Sequence, residues 1–98
     1  MIEDDALLNY YRNQERCSRC LQPCWPCEPH HCYRKGMGGG SRMDVCLNIL
    51  AVCRACHQHL QEAPGGREEG WRLIEKREGL EEGQAEAAVW VLLRRPNR

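Results

Sequence analysis

With 98 residues, no Phe and three Trp, this chain buries too little apolar surface for a hydrophobic core alone to hold one domain together. Eight cysteines supply the missing cross-links, either as disulfides or as metal ligands. The formal net charge is +0, so charge by itself selects no partner class, and no apolar run reaches the length of a membrane span.

In chain order, Asp4 or Asp5 caps a first helix over 4–16, with Leu7, Leu8 and Tyr11 on its apolar stripe. The stretch CSRCLQPCWPCEPHHC, 17–32, carries prolines 23, 26 and 29, which argue against helix; it reads as a knuckle followed by a short irregular strand pair. The loop YRKGMGGGSRMDVC has glycines at 36, 38, 39 and 40, which permit close approach to a ligand. LNILAVCRACHQHLQEA then reads as a strand or turn entering a helix from Arg54 to Glu62, stopped by Ala63-Pro64-Gly65-Gly66. In the C-terminal extension, 67–95, the segments GWRLIEKR and AAVWVLLRR flank an acidic turn and predict a hairpin, with a helix in the Glu- and Ala-rich part as the alternative.

The cysteines recur as C-x-x-C, the spacing with which two thiolates grip one ion from a tight turn. MIEDDALLNYYRNQER is acidic and amphipathic and lacks the basic start and apolar segment of a secretory leader. Together these features predict a cytoplasmic, reduced, metal-bound state rather than a secreted disulfide framework. Cys17, Cys20, Cys53 and Cys56 would close a tetrahedral zinc site of the structural kind, tying the strand region to the last core helix. Cys24 and Cys27 form a rival pair, which would pull the knuckle onto the strand bearing the histidines. Cys32 and Cys46 read as small buried hydrophobes.

The four histidines fall in two clusters, His30-His31 and His57 with His59. Neighbours on a strand point to opposite faces, so one ring of His30-His31 can ligate a metal while the other faces a substrate, with His57 joining from the helix start. The order C-x-x-C, His-His, Gly-rich loop, Asn, C-x-x-C-His, with MGGGSR and LNILAVCRACH, resembles the HNH endonuclease family, in particular its small phage and mobile-element members, over 17–62. That resemblance implies a small α+β fold with a ββα-metal (His-Me finger) core. It implies His30 and His57 as ligands of a catalytic divalent ion such as Mg²⁺, Mn²⁺ or Ni²⁺. It implies His31 as the general base and Asn48 as the residue that orients it, with Cys17, Cys20, Cys53 and Cys56 on structural zinc. The pattern departs from the family in three places: Gln61 stands where many members carry a further His, Cys32-Tyr33 replaces Ile-Pro, and the Cys24/Cys27 pair is extra.

Between Arg16 and His59, six Lys/Arg face only Glu28 and Asp44, a net of +4 balanced by −4 elsewhere. Arg34, Lys35 and Arg42 flank the Gly-rich loop and are candidate DNA phosphate contacts. The expected function is metal-dependent hydrolysis of DNA phosphodiesters, by nicking or double-strand cutting, acting alone, as a homodimer or within a phage or recombination machine. Two other readings compete with it. One is a non-catalytic zinc module binding nucleic acid or protein, which would not need His30, His31, Asn48 and His57 together. The other is thiol–disulfide chemistry at Cys24-Trp-Pro-Cys27, which lacks the strand-to-helix context that lowers a thiol pKa.

Overall fold

The computed structural model of the protein describes residues 2–34 and 42–94. Its elements in chain order are α1 (Asp5–Arg12), β1 (Glu28–His31), a single 3₁₀ turn (Cys46–Asn48), β2 (Ile49–Val52), α2 (Arg54–Glu62), α3 (Gly66–Glu78) and α4 (Gln84–Leu93). The architecture is small α+β: a two-stranded antiparallel sheet with helices on both faces.

Asp4 caps α1 by accepting the Leu7 amide at 2.9 Å, as the sequence predicts. The helix stops at Arg12, short of 16, because the next residues pair sideways with the cysteine stretch. Arg16 bridges Pro23, and the Cys24 amide donates to the Glu15 carbonyl at 3.0 Å. The expected strand pair inside 17–32 is corrected as well. Only Glu28–His31 forms a strand, and its partner is Ile49–Val52, in the register Glu28↔Val52 to His31↔Ile49. Proline at 23 and 26 removes ladder donors upstream of β1, whereas ILAV offers an unbroken edge.

β2 is buried on both faces, which explains its continuous apolar run. Leu50 and Val52 pack with Leu60, Trp71, Ile74 and Val89 on the side of α2, α3 and α4. Ile49 and Ala51 pack with Leu8, Tyr11 and Cys27 on the side of α1. Each such large aliphatic removed from water contributes about 1.5–3 kcal/mol.

The tail overturns the predicted hairpin, forming α3 and α4. The composition of AAVWVLL suits a strand, but Ala85 and Val89 are buried one helical turn apart and face the same core as Trp71 and Ile74. α3 carries Glu68 and Glu69 in its first turn and Lys76 and Arg77 in its last, matching its dipole, and Gly79 ends it with φ of 71°. The N-cap of α4 is a glycine without a side chain, so buried Glu75 of α3 accepts the Gly83 and Ala85 amides instead, at 2.8 and 3.1 Å. The α2–α3 corner is tight. A Cβ on Gly66 would lie 2.5 Å from the Leu60 carbonyl oxygen, so the corner excludes any larger residue. Among the described residues no helix is long and apolar enough to cross a membrane.

Candidate active site and metal centre

Two turns bring four sulphurs together. Cys17 and Cys20 lie on the turn after α1, while Cys53 and Cys56 lie at the start of α2, where Cys53 is the N-cap. All four Sγ atoms lie within 4.8 Å of one another, and they form a group that can hold a metal ion. Sulphurs about 2.3 Å from a central ion sit about 3.8 Å apart at the corners of a tetrahedron. Cys20 and Cys53 are 3.9 Å apart, close to that spacing.

Main-chain amides point at the sulphurs: Arg19 and Cys20 donate to Cys17 Sγ at 3.4 Å, and Cys56 donates to Cys53 Sγ at 3.5 Å. Burial opposes ionisation of Cys17, but the amide hydrogen bonds outweigh it and bring that thiol down to about 6. The Arg19 guanidinium donates to Cys56 Sγ at 3.4 Å and to Glu69 at 2.6 Å, linking the cluster to α3. The rival pair is excluded from this site, because Cys24 and Cys27 are joined to each other in a disulfide. No helix starts at that disulfide, so neither thiol gains the helix N-terminus that activates redox cysteines. Cys32 is buried, and burial pushes its thiol up to about 12, in keeping with a packing role. Cys46 is exposed, which corrects the expectation of a buried hydrophobe.

The histidines occupy both faces of β1. Register places Glu28 and His30 on the face shared with Leu50 and Val52, under α2 and α3. His30 is 3% exposed and its Nδ1 has no hydrogen-bond partner. Burial, then the nearby His57, Arg34 and His31, lower its pKa to about 4, so the ring is neutral and able to ligate. The His57 ring on α2 lies 5.2 Å from it, edge to face. His57 Nδ1 is 2.7 Å from the Glu28 carboxylate, and its Nε2 is 3.0 Å from the Gln61 amide. Gln61 thus meets His57 from one turn further along α2. Among the described residues, His30, His57 and Glu28 do not form a second cluster of three converging ligand atoms.

His31 turns to the other face, where its Nε2 is 2.8 Å from Asp44. Asp44 is itself buried and accepts the Asp4 amide at 2.7 Å. At the strand end, both His30 and His31 open onto one cavity of about 250 Å³, shared with Arg34 and the first turn of α3. The Asn48 side chain makes no hydrogen bond to His31. Its Oδ1 accepts the Tyr33 amide at 2.7 Å, and its Nδ2 donates to the Tyr33 and Met43 carbonyls at 3.1 and 3.0 Å, pinning the chain just after His31 to the far end of the Gly-rich loop.

Comparison with protein-family models, with curated proteins and with solved structures returns no match.

Of the three predicted phosphate contacts, Arg34 lines the cavity and Lys35 lies outside the described residues. Arg42 is committed elsewhere, its Nη2 standing 2.9 Å from Asp5 and 3.1 Å from Asp44. The sequence reading missed Glu28, Asp44 and Arg67. Alternation along β1 could have flagged Glu28 as sharing the face of His30. No local pattern announces Asp44 or Arg67, which reach the site through tertiary packing.

Proposed function

We propose that the chain is a metal-dependent endonuclease of the HNH type that hydrolyses DNA phosphodiester bonds. The observation that carries this reading is the pair of histidines at the end of β1: adjacent residues on opposite strand faces, each with its own partner, opening onto one cavity. A purely structural zinc module has no use for a buried, neutral histidine with an unpartnered nitrogen.

In this reading the β1–β2–α2 unit serves as the ββα-metal core. Zinc sits on Cys17, Cys20, Cys53 and Cys56 and fastens the sheet to α2. His30 and His57 hold a divalent ion whose chemistry is to stabilise charge developing on the phosphate and the leaving oxygen. Glu28 fixes the ring of His57 so that Nε2 is the ligand atom, the ion taking the place of the hydrogen bond that Gln61 makes there. His31 is the general base. Asp44 holds its Nε2, so Nδ1 is the atom that takes the proton from the attacking water. Asn48 holds the chain beside the base, and Arg34 meets phosphate.

The test is incubation of the zinc-loaded protein with supercoiled plasmid in Mg²⁺, Mn²⁺, Ni²⁺ or EDTA. Cleavage should need the added ion. His31→Ala should lose about 10²–10⁴ in rate while keeping zinc and fold. His57→Ala should also weaken binding of the added ion. A wild-type protein inert with every ion would instead support the non-catalytic zinc module, and full cleavage by His31→Ala would remove the assigned base.

A further inference from the structure

The cavity beside His30 and His31 is walled on its far side by α3, a helix outside the segment that resembles the family. The first turn of α3 has no side-chain cap, because its N-cap is Gly65 with φ of 77°. Among the described residues, the Arg67 and Glu68 amides have no acceptor, and the Arg67 and Arg34 guanidiniums have no hydrogen-bond or ion-pair partner. The opposite wall presents His30, 3% exposed, with Nδ1 unpartnered. Gly70, one turn along α3, lets the helix press close: a Cβ there would lie 2.9 Å from Cys32 Sγ and 3.8 Å from His30 Nε2. The one acidic side chain on the wall, Glu68, is exposed and free to turn to solvent.

Two free amides at a helix N-terminus and two guanidiniums, beside the buried ring of His30, around about 250 Å³ describe a seat for a tetrahedral oxyanion. Resting on the nuclease reading above, we infer that this cavity seats the phosphodiester to be cut, with Arg67 and the α3 amides gripping its non-bridging oxygens. The C-terminal helices are then part of the substrate site rather than an appendage to the core. Arg67 is a positioning residue that binds phosphate and moves no proton.

The experiment uses the zinc-loaded full chain without divalent ion. Amide resonances are followed by NMR during titration with inorganic phosphate and, separately, with a short DNA duplex. Both titrants should shift the Arg67 and Glu68 amides. Arg67→Ala, an exposed position that should leave folding unchanged, should weaken duplex binding about tenfold and reduce the salt slope by about one, with Arg67→Lys recovering part of the affinity. In cleavage, Arg67→Ala should raise KM and lower kcat/KM. Unmoved amides, or unchanged affinity and salt slope in Arg67→Ala, overturn the seat even if the wild type cleaves DNA. Amide shifts and a reduced salt slope in a protein that cleaves nothing uphold the seat and reject the nuclease reading.

Discussion

Asn48→Asp tests how the chain beside the base is held. The replacement is nearly isosteric and keeps the acceptor for the Tyr33 amide. It converts the amide group that donates to the Tyr33 and Met43 carbonyls, at 3.1 and 3.0 Å, into a second oxygen. Asn48 is 0% exposed, so an ionised carboxylate there is shut off from solvent and faces two carbonyl oxygens. The group must take up a proton, which costs about 1.4 kcal/mol for each pH unit above the ordinary value near 3.9, or about 4 kcal/mol at neutrality. One proton satisfies one carbonyl, and leaving the other unpaired costs about 1–3 kcal/mol more. The sum, about 5–7 kcal/mol, approaches the whole stability of a typical small domain. Urea unfolding of the zinc-loaded protein, followed by tryptophan fluorescence, should show the loss. It should also show the loss shrinking by about 3 kcal/mol between about pH 8 and pH 6, because protonation becomes easier. A loss below about 1 kcal/mol, or one independent of pH, would refute the account of Asn48 as a buried two-way clamp.

Cys53→Ser removes a candidate metal ligand while leaving a hydroxyl that can still cap α2, and should yield a zinc-free, largely unfolded chain; elemental analysis finding no zinc in well-folded native protein would contradict this. Glu75→Gln replaces a buried carboxylate that receives Arg72 and two α4 amides with a group that must turn a donor toward one of them. It should cost about 1–3 kcal/mol and lower the melting temperature by roughly 4–8 °C per kcal/mol, as calorimetry can check. For His30, burial holds the pKa at about 4 against 6.5. Below about 6.5 the unfolded chain takes up a proton that the folded chain refuses, so this ring costs no stability at higher pH and up to about 3 kcal/mol as pH falls to about 4. Its ring resonance in protein free of added divalent ion should titrate near 4, and a midpoint near 6.5 would contradict the buried placement.

What local sequence alone determined is what short-range chemistry enforces. The α2 bounds at Arg54 and Glu62 follow from Cys53 as a cap and Pro64-Gly65-Gly66 as a stop, and the Asp4 cap of α1 is legible in the same way. The meeting of Cys17 and Cys20 with Cys53 and Cys56 was readable because two C-x-x-C turns together offer four thiolates at the spacing a tetrahedral ion needs, although the same spacing at Cys24 and Cys27 closes a disulfide instead. Alternation along a strand foretold that His30 and His31 would part to opposite faces. Tertiary structure decided the rest. AAVWVLL has strand-like composition, yet with no strand to pair with, it buries Ala85 and Val89 as a helix against Trp71 and Ile74. Arg42, legible as a phosphate contact, is captured by Asp5 and Asp44, whereas Arg67, which stood out in no motif, is carried to the cavity by the tight turn at Gly66. The same packing sets Asp44 against His31, 13 residues earlier, and Glu28 against His57, 29 residues later. Such pairings are selected by the free energy of the whole fold, in which a buried polar group must find a partner somewhere, and the local chain does not say where.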